Sequence, residues 1–359
     1  MALSVCQFGT YPPPVTGISV HIESLAERLR QVGVTVRIID TTANPRGGFI
    51  LRWARSLLHY AVALLRGMAA SEHVVHVHGC AGLTFWSRLP LLLTLRLRRK
   101  STVYTNHSGN FGEWAGRQRL TRPLLRFSVS LASRVIALNE DQRQAYLSLG
   151  YPEERLPVII PFVGACGGVS RLPTEVEAFA SRHSPLICAS GGWRQLYGLE
   201  SFVVAFAELR QSEEFAGAGA VALMSFSAHD EQSYREEIQN EVAARGLADH
   251  IMFLPSGQTP HEEAIALIRA SDVFVRPSLH DGDSVSVREA LSLGTATVAS
   301  DTGLRPEGCL VYEPGNASAL KRLLREACAG QSSGTFVVQP SAGDESFDRT
   351  LALYRELAG

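Results

Sequence analysis

Asp272-Val-Phe-Val-Arg-Pro-Ser-Leu-His-Asp-Gly-Asp-Ser-Val-Ser-Val-Arg-Glu289 is the stretch on which the fold turns. Its apolar opening, closed by Pro277, predicts a buried strand, and Ala290 to Leu293 predict a helix that stops at Gly294. Between them lies a polar turn. A strand that runs through such a turn into a helix marks a ligand position in an open α/β sheet, because the free N–H groups of the first helical turn point above the strand ends. Asp281 and Glu289 bracket the turn. Carboxylates there accept hydrogen bonds from sugar or ribose hydroxyls while the intervening amides hold a phosphate. The same residue types also suit a helix start with no ligand: Ser286 and Glu289 have capping-box spacing, and Asp283 is a candidate N-cap.

The stretch resembles the acidic signature of retaining GT-B glycosyltransferases of family 4, in which an acid, seven residues and a Glu close on the nucleotide sugar. Glu289 fits; Asp281 stands where the family usually has Glu, one methylene shorter. The resemblance continues through Phe253-Leu-Pro255, Ala270-Ser-Asp-Val-Phe-Val-Arg-Pro-Ser278 and Ala299-Ser-Asp-Thr-Gly-Leu-Arg-Pro-Glu307, and covers most of the chain in order. It implies an α/β protein of two Rossmann-like domains, with parallel sheets facing across a cleft. Residues 1–164 would form the acceptor side, residues 165–340 would bind the nucleotide sugar, and a C-terminal helix within 341–359 would pack back across the junction.

With 359 residues, 45% hydrophobic and 19% charged, the chain can bury two cores. It has no uncharged apolar run of about eighteen residues, and Met1-Ala-Leu-Ser-Val-Cys-Gln7 lacks the basic head of a secretory signal, so a cytoplasmic chain is expected. Cys6, Cys80, Cys166, Cys188, Cys309 and Cys328 are scattered, which suits small residues of a reducing compartment better than a disulfide or zinc framework. Only Lys100 and Lys321 are lysines, so phosphate contacts fall to Arg or backbone. The net charge of −1 conceals an asymmetry: Met1 to Ala165 carries 19 basic and 9 acidic residues, the remainder 15 and 26. A basic first half suits an anionic partner. No helix-turn-helix, RRM or zinc motif supports nucleic acid. The expected partner is an anionic membrane, met peripherally at its inner face, or a charged lipid-linked acceptor.

Ala2 to Gly9 predicts a strand, Ile18 to Val32 a helix closed by Gly33, and Val34 to Ile39 a second strand, so a parallel sheet is under way. The loop Tyr11-Pro-Pro-Pro-Val-Thr-Gly17 lacks G-x-G-x-x-G, which argues against a dinucleotide fingerprint. By the resemblance, Gly17 lets backbone approach the donor phosphates or the acceptor. Ile50 to Ala70 and Phe85 to Lys100 predict Leu-rich helices edged with arginine. They read either as buried helices with snorkelling ends or as a basic amphipathic surface on anionic lipid. His73 to Gly79 predicts a strand with His76 and His78 on one face. A His-x-His pair binds metal only with further ligands, and with no partner motif in sight no metal is expected, His76 reading as a satisfied core residue. Ser101 to Asn106 predicts a strand, after which His107, by the resemblance, reaches toward the donor sugar. A neutral imidazole there donates to a sugar hydroxyl or steadies developing positive charge. Ala132 to Leu138 and Leu156 to Pro161 predict further strands before a Gly-rich linker.

In the second half, Pro185 to Ser190 predicts a strand, Gly191-Gly-Trp-Arg-Gln-Leu-Tyr-Gly198 a turn, and Leu199 to Arg210 a helix. The resembled family carries an Arg and, five residues on, a Lys-Gly in this turn to hold the diphosphate. Here Gly192 and Tyr197 occupy the two cationic positions and only Gly198 is kept, which leaves Arg194 as the nearest cation along the chain. The donor-binding set implied by the resemblance is Gly17, Gly191, Arg194, Gly198, Leu254, Pro255, Gly282, Asp283, Ser284, Val285, Ser286 and Glu289. Backbone amides of Ser284 to Ser286 would face the leaving diphosphate, Glu289 the ribose diol and Asp281 a donor hydroxyl. The catalytic candidates are His107, Asp281 and Glu289.

The expected activity is retaining transfer of a sugar from a UDP- or GDP-sugar to a hydroxyl acceptor, a glycan, lipid-linked glycan or glycoconjugate, with no cofactor and no metal. Asp281-Gly-Asp283 keeps a metal-dependent transferase open as a rival. The missing Arg and Lys and the shortened acid leave a second reading, a donor-binding GT-B protein without turnover; a related enzyme reading is a GT-B epimerase or phosphorylase that uses no separate acceptor.

Overall fold

A computed structural model describes the chain except residues 1, 14, 43–48, 109–110, 161–170, 226–229, 282–283, 303–304 and 331–340. It divides into two compact units, one comprising Met1–Pro12, Ile18–Val163 and Ser341–Gly359, the other Pro13–Gly17 and Gly164–Pro340. Helices α1 (Gly17–Gln31), α2 (Phe49–Met68), α3 (Leu83–Ser87), α4 (Leu89–Leu97), α5 (Phe111–Arg117), α6 (Arg122–Ser130) and α7 (Glu140–Ser148) precede the linker. After it come α8 (Thr174–Ala180), α9 (Leu199–Leu209), α10 (Gln232–Ala244), α11 (His261–Ala270), α12 (Val285–Ser292), α13 (Ala317–Cys328) and α14 (Ser341–Ala358).

In the first unit, β1 (Ser4–Gly9), β2 (Thr35–Asp40), β3 (Val74–Gly79), β4 (Ser101–Asn106) and β5 (Arg134–Ile136) form a parallel sheet in the order β2-β1-β3-β4-β5. β1 and β3 are buried almost throughout, as strands covered on both faces must be. One face packs on α2 through α7, with Phe8, Val75, Leu91, Phe111, Leu125 and Tyr146 in its core. The other packs on α1 and α14 through Val5, Leu25, Leu29, Phe347, Leu351 and Tyr354.

Two expectations change here. Phe85 to Lys100 is not one helix but two, α3 and α4, with Arg88 between them and Pro90 in the first turn of α4, where its missing N–H costs nothing. Leu156 to Pro161 adds no strand; Val158 makes a single bridge to Ala137.

In the second unit, β6 (Leu186–Gly191), β7 (Gly219–Met224), β8 (Ile251–Phe253), β9 (Val273–Arg276), β10 (Ala296–Ser300) and β11 (Leu310–Tyr312) form a parallel sheet in the order β11-β10-β9-β6-β7-β8. Helices α9, α10 and α13 cover one face and α8, α11 and α12 the other. The order steps from β6 to β7 on one side and to β9 on the other, so neighbouring crossovers diverge there and leave space above the strand ends. Helix α12 starts at Val285, five residues before the expected Ala290, and ends at Gly294, whose φ of 75° is the left-handed conformation a helix stop favours.

Candidate functional site

At the strand ends of the second unit, Gly198 holds the turn from β6 to α9. Its φ is 63°, and a Cβ there would stand 2.1 Å from the Pro277 carbonyl oxygen, so the backbone after β9 passes where only glycine leaves room. That backbone carries Arg276, a charge at the end of a buried strand. Its guanidinium grips Asp281 with two hydrogen bonds, Nε to Oδ2 at 2.8 Å and Nη2 to Oδ1 at 3.3 Å, donates to Ser190 Oγ at 2.8 Å, and lies over the Tyr197 ring at 5.2 Å. Arg305 reaches the same carboxylate, Nη1 to Oδ2 at 3.2 Å, and donates from Nε to the Ser300 carbonyl. Burial pulls the Asp281 carboxyl upward, but the two guanidiniums outweigh it and hold the group below the usual aspartate range.

Two buried cations therefore share one carboxylate. Asp281, expected to face a donor hydroxyl, is occupied by arginines. Arg194, expected as the nearest cation, lies in the turn with Nε 3.7 Å from a Glu231 carboxylate oxygen. The Tyr197 position, cationic in the resembled family, instead carries a ring against which Arg276 packs.

Glu289 is buried on α12 and accepts from His261 Nε2 at 2.7 Å. The capping box does not form: Ser284 is the N-cap, without a side-chain cap bond, and Ser286 and Glu289 lie inside the helix. Ser286 Oγ sits 3.1 Å from Ser284 Oγ and 3.4 Å from Ser190 Oγ, so hydroxyls line the approach to the helix. Gly282 and Asp283 fall outside the described residues. Gly191 ends β6, and Leu254 and Pro255 border a pocket of about 430 Å³ with Trp193, Arg235, Phe253 and Gln258. Trp193 and Phe253 pack at 5.1 Å between centroids and Arg235 lies over Trp193 at 5.3 Å, giving that pocket an aromatic, cation-edged wall.

In the first unit, β3 and β4 place four imidazoles together with α1. His76 and His78 share a face, as the alternation predicts, with centroids 3.9 Å apart. His107 Nε2 lies 2.9 Å from His78 Nδ1, and the His21 ring is 5.2 Å from that of His107. Burial holds His76, His78 and His107 well below the usual histidine range, and the neighbouring rings add to the depression. His76 is the satisfied core histidine expected, bonded at both nitrogens to Tyr354 and Thr105. Gly17 starts α1 in open space, with no protein atom within 4 Å of a Cβ built there.

Nitrogens of His21, His78 and His107 all lie within 4.8 Å of one another, the one such potential metal-ligand group among the described residues. Sequence spacing supplied His78 no partners; the sheet brings them. His78 nevertheless spends both nitrogens on hydrogen bonds, to His107 and to Gln7, so an ion would have to displace the proton between two rings.

Arg276, Arg305, His261, Trp193 and Gln7 were absent from the sequence-derived set. A readable signal existed for one of them: an arginine inside an otherwise apolar buried strand demands a partner, and Asp281 lies five residues on. His261 and Gln7 gave no such signal, since their partners are distant in the chain.

The family model for Glycosyltransferase Family 4 matches residues 15–163, and that for Glycosyl transferases group 1 matches residues 176–333. The chain is 25% identical over 307 residues to a 2-deoxystreptamine N-acetyl-D-glucosaminyltransferase of Streptomyces fradiae, covering 80% of this chain and 71% of that protein. It is 26% identical over 270 residues to a GDP-mannose:cellobiosyl-diphosphopolyprenol alpha-mannosyltransferase of Xanthomonas oryzae pv. oryzae, covering 73% and 64%. Among solved structures, a UDP-forming alpha,alpha-trehalose-phosphate synthase from Burkholderia xenovorans superposes with a TM-score of 0.69 at 15% identity over the whole of both chains, a likeness of fold. With both family models matched in order on two parallel-sheet Rossmann-like units, the chain belongs to glycosyltransferase family 4 and is a glycosyltransferase of GT-B fold.

Proposed function

We propose that the protein transfers a sugar, with retention and without a metal, from a UDP- or GDP-sugar to a hydroxyl acceptor presented at an anionic membrane face. The observation that carries the donor half is the Arg276–Asp281–Arg305 cluster beside Glu289: two guanidiniums against one carboxylate leave net positive charge at the strand ends, where a diphosphate develops charge as it leaves. In this reading the cation lost from the Gly191–Gly198 turn is supplied from β9 and the β10 loop, with Asp281 orienting both arginines. First-turn amides of α12 add to it, Glu289 takes the ribose diol, and the Trp193 pocket takes the base. His107 faces a sugar hydroxyl.

The acceptor half rests on the outer surface of the first unit. Helices α2, α4 and α6 adjoin on one face of the sheet and expose Leu57, Leu58, Leu65, Leu97, Leu124 and Phe127. Exposed Arg55, Arg66, Arg96, Arg98, Arg99 and Arg126 interleave with them. Apolar side chains among arginines suit the interface of an anionic bilayer. No helix among the described residues is long and apolar enough to cross a membrane. The lipid-linked acceptor in the name of the Xanthomonas relative points the same way.

The test is a thermal-shift panel of UDP, GDP, ADP and their sugars on wild type and Glu289→Ala, since a ligand of the folded state raises its melting temperature. One nucleotide series stabilising wild type alone supports the reading. No shift with any of them, on folded protein, overturns it.

A further inference from the structure

The histidines of the first unit belong to one continuous chain of buried hydrogen bonds, and its direction can be worked out. His78 Nε2 lies 2.7 Å from Gln7 Oε1, and an amide oxygen only accepts, so His78 carries its proton on Nε2. Its ring is neutral at ordinary pH, so Nδ1 is a lone pair, and the 2.9 Å contact there requires His107 to donate from Nε2. On the other side Gln7 Nε2 donates to the Tyr354 hydroxyl at 3.2 Å. That hydroxyl has one proton, and the buried atom within reach to take it is His76 Nδ1 at 2.5 Å. His76 in turn donates from Nε2 to Thr105 Oγ1 at 2.8 Å. With the Gln7 oxygen toward His78 and its nitrogen toward Tyr354, each ring is the Nε2–H tautomer. The His107 Nδ1 lone pair, which takes no hydrogen bond among the described residues, is left to accept.

We propose that Tyr354, on the C-terminal helix α14, is a positioning residue that acts through Gln7 and His78 to set the tautomer of His107, so that this ring accepts a hydrogen bond from a sugar hydroxyl instead of donating one. The hydroxyl contact rests on the donor reading above; the tautomer does not. Reversal of the Gln7 amide would exchange its oxygen and nitrogen, turn His78 over to its Nδ1–H form and leave His107 Nε2 facing a donor. Reversal would also require Tyr354 to donate to Gln7 and His76 to turn over to its Nδ1–H form, so the Tyr354 hydroxyl couples the two ends of the chain. Tyr354 is fully buried, packed with Phe347 and Leu351 against Val5 and Val74, so correct docking of α14 is what presents the hydroxyl. The network also explains a polar glutamine and two histidines inside the first sheet: every side-chain nitrogen of Gln7, His76 and His78 has a partner.

The experiment is long-range 1H–15N correlation spectroscopy of the imidazoles in the full-length protein at pH 7.5, which separates the two tautomers by nitrogen shift. It compares wild type, Tyr354→Phe and Gln7→Met. Wild type should show His78 and His107 as Nε2–H. Either variant that retains a cooperative thermal transition should show a mixture of the two forms at His107. In turnover, kcat should fall about tenfold, the scale of one lost buried hydrogen bond, while the affinity for UDP or GDP, whichever binds, stays unchanged. An Nδ1–H form at His107 in wild type, or a pure Nε2–H form in both variants, overturns the proposal. The spectra decide it even if no nucleotide binds, a result that would count only against the donor reading.

Discussion

His261 Nε2 and Glu289 Oε1 lie 2.7 Å apart, in side chains that are only 12% and 8% exposed. The pair joins the first residue of α11 to the middle of α12 and holds the Glu289 carboxylate in one rotamer. A carboxylate that must meet a ribose diol gains from being held, because less freedom is lost when the ligand arrives.

Loss of that hold should show in affinity. His261→Ala is expected to weaken nucleotide binding about tenfold, the scale of one buried hydrogen bond, and His261→Gln, whose amide still donates, to recover most of it. Titration calorimetry with the nucleotide found in the thermal-shift panel checks this. Equal affinity in His261→Ala and wild type would detach the pair from ligand binding.

Asp281→Ala leaves Arg276 and Arg305 buried without their anion, and breaking a buried ion pair from one side costs about 3–5 kcal/mol. Urea unfolding at pH 7 should register that loss, and adding Arg305→Met should return part of it. The acid dependence has a definite sign. The folded carboxyl is depressed, so its contribution is present above the unfolded value of about 3.9 and fades as pH falls through the lower folded value. The Asp281→Ala variant should lack that component.

The three depressed histidines act at milder pH. His76, His78 and His107 bind protons in the unfolded chain below about pH 6.5 but resist doing so when folded. Stability should be flat above about pH 7 and fall on acidification through 6.5, each ring contributing up to about 1.4 kcal/mol per pH unit. Denaturation curves between pH 5 and 8 measure the slope, and His107→Gln should make it shallower. A slope identical in the variant would count against a protonation penalty at that ring.

Vesicle binding tests the surface of α2, α4 and α6. Co-sedimentation with vesicles containing phosphatidylglycerol should exceed that with phosphatidylcholine alone, weaken with added salt, and drop when Leu58, Leu65 and Leu97 are changed to Ser. Equal partition into neutral and anionic vesicles would remove the membrane from the reading.

Much of the site was legible one residue at a time. The turn after β6, the polar segment after β9 and the buried strand carrying His76 and His78 all announce themselves through local spacing. Helix α12 begins earlier than its apolar residues suggest, because Ser284 to Ser286 look like a loop until Val287 finds the core. Of the two arginines on Asp281, Arg276 is near enough along the chain for local spacing to show it, whereas Arg305 is brought there by the fold.

Sequence alone determined the two α/β units, their parallel strands and the glycine at 198, since periodicity, strand burial and turn chemistry are properties of contiguous residues. Tertiary structure decided what the charged and titratable side chains do. Arg305 meets Asp281, His261 meets Glu289, and Tyr354 reaches Gln7 and His76 only once strand order has been set and helices have docked. A hydrogen bond or ion pair acts over a few ångströms of space regardless of chain separation, so its partner becomes knowable when the fold fixes the distance.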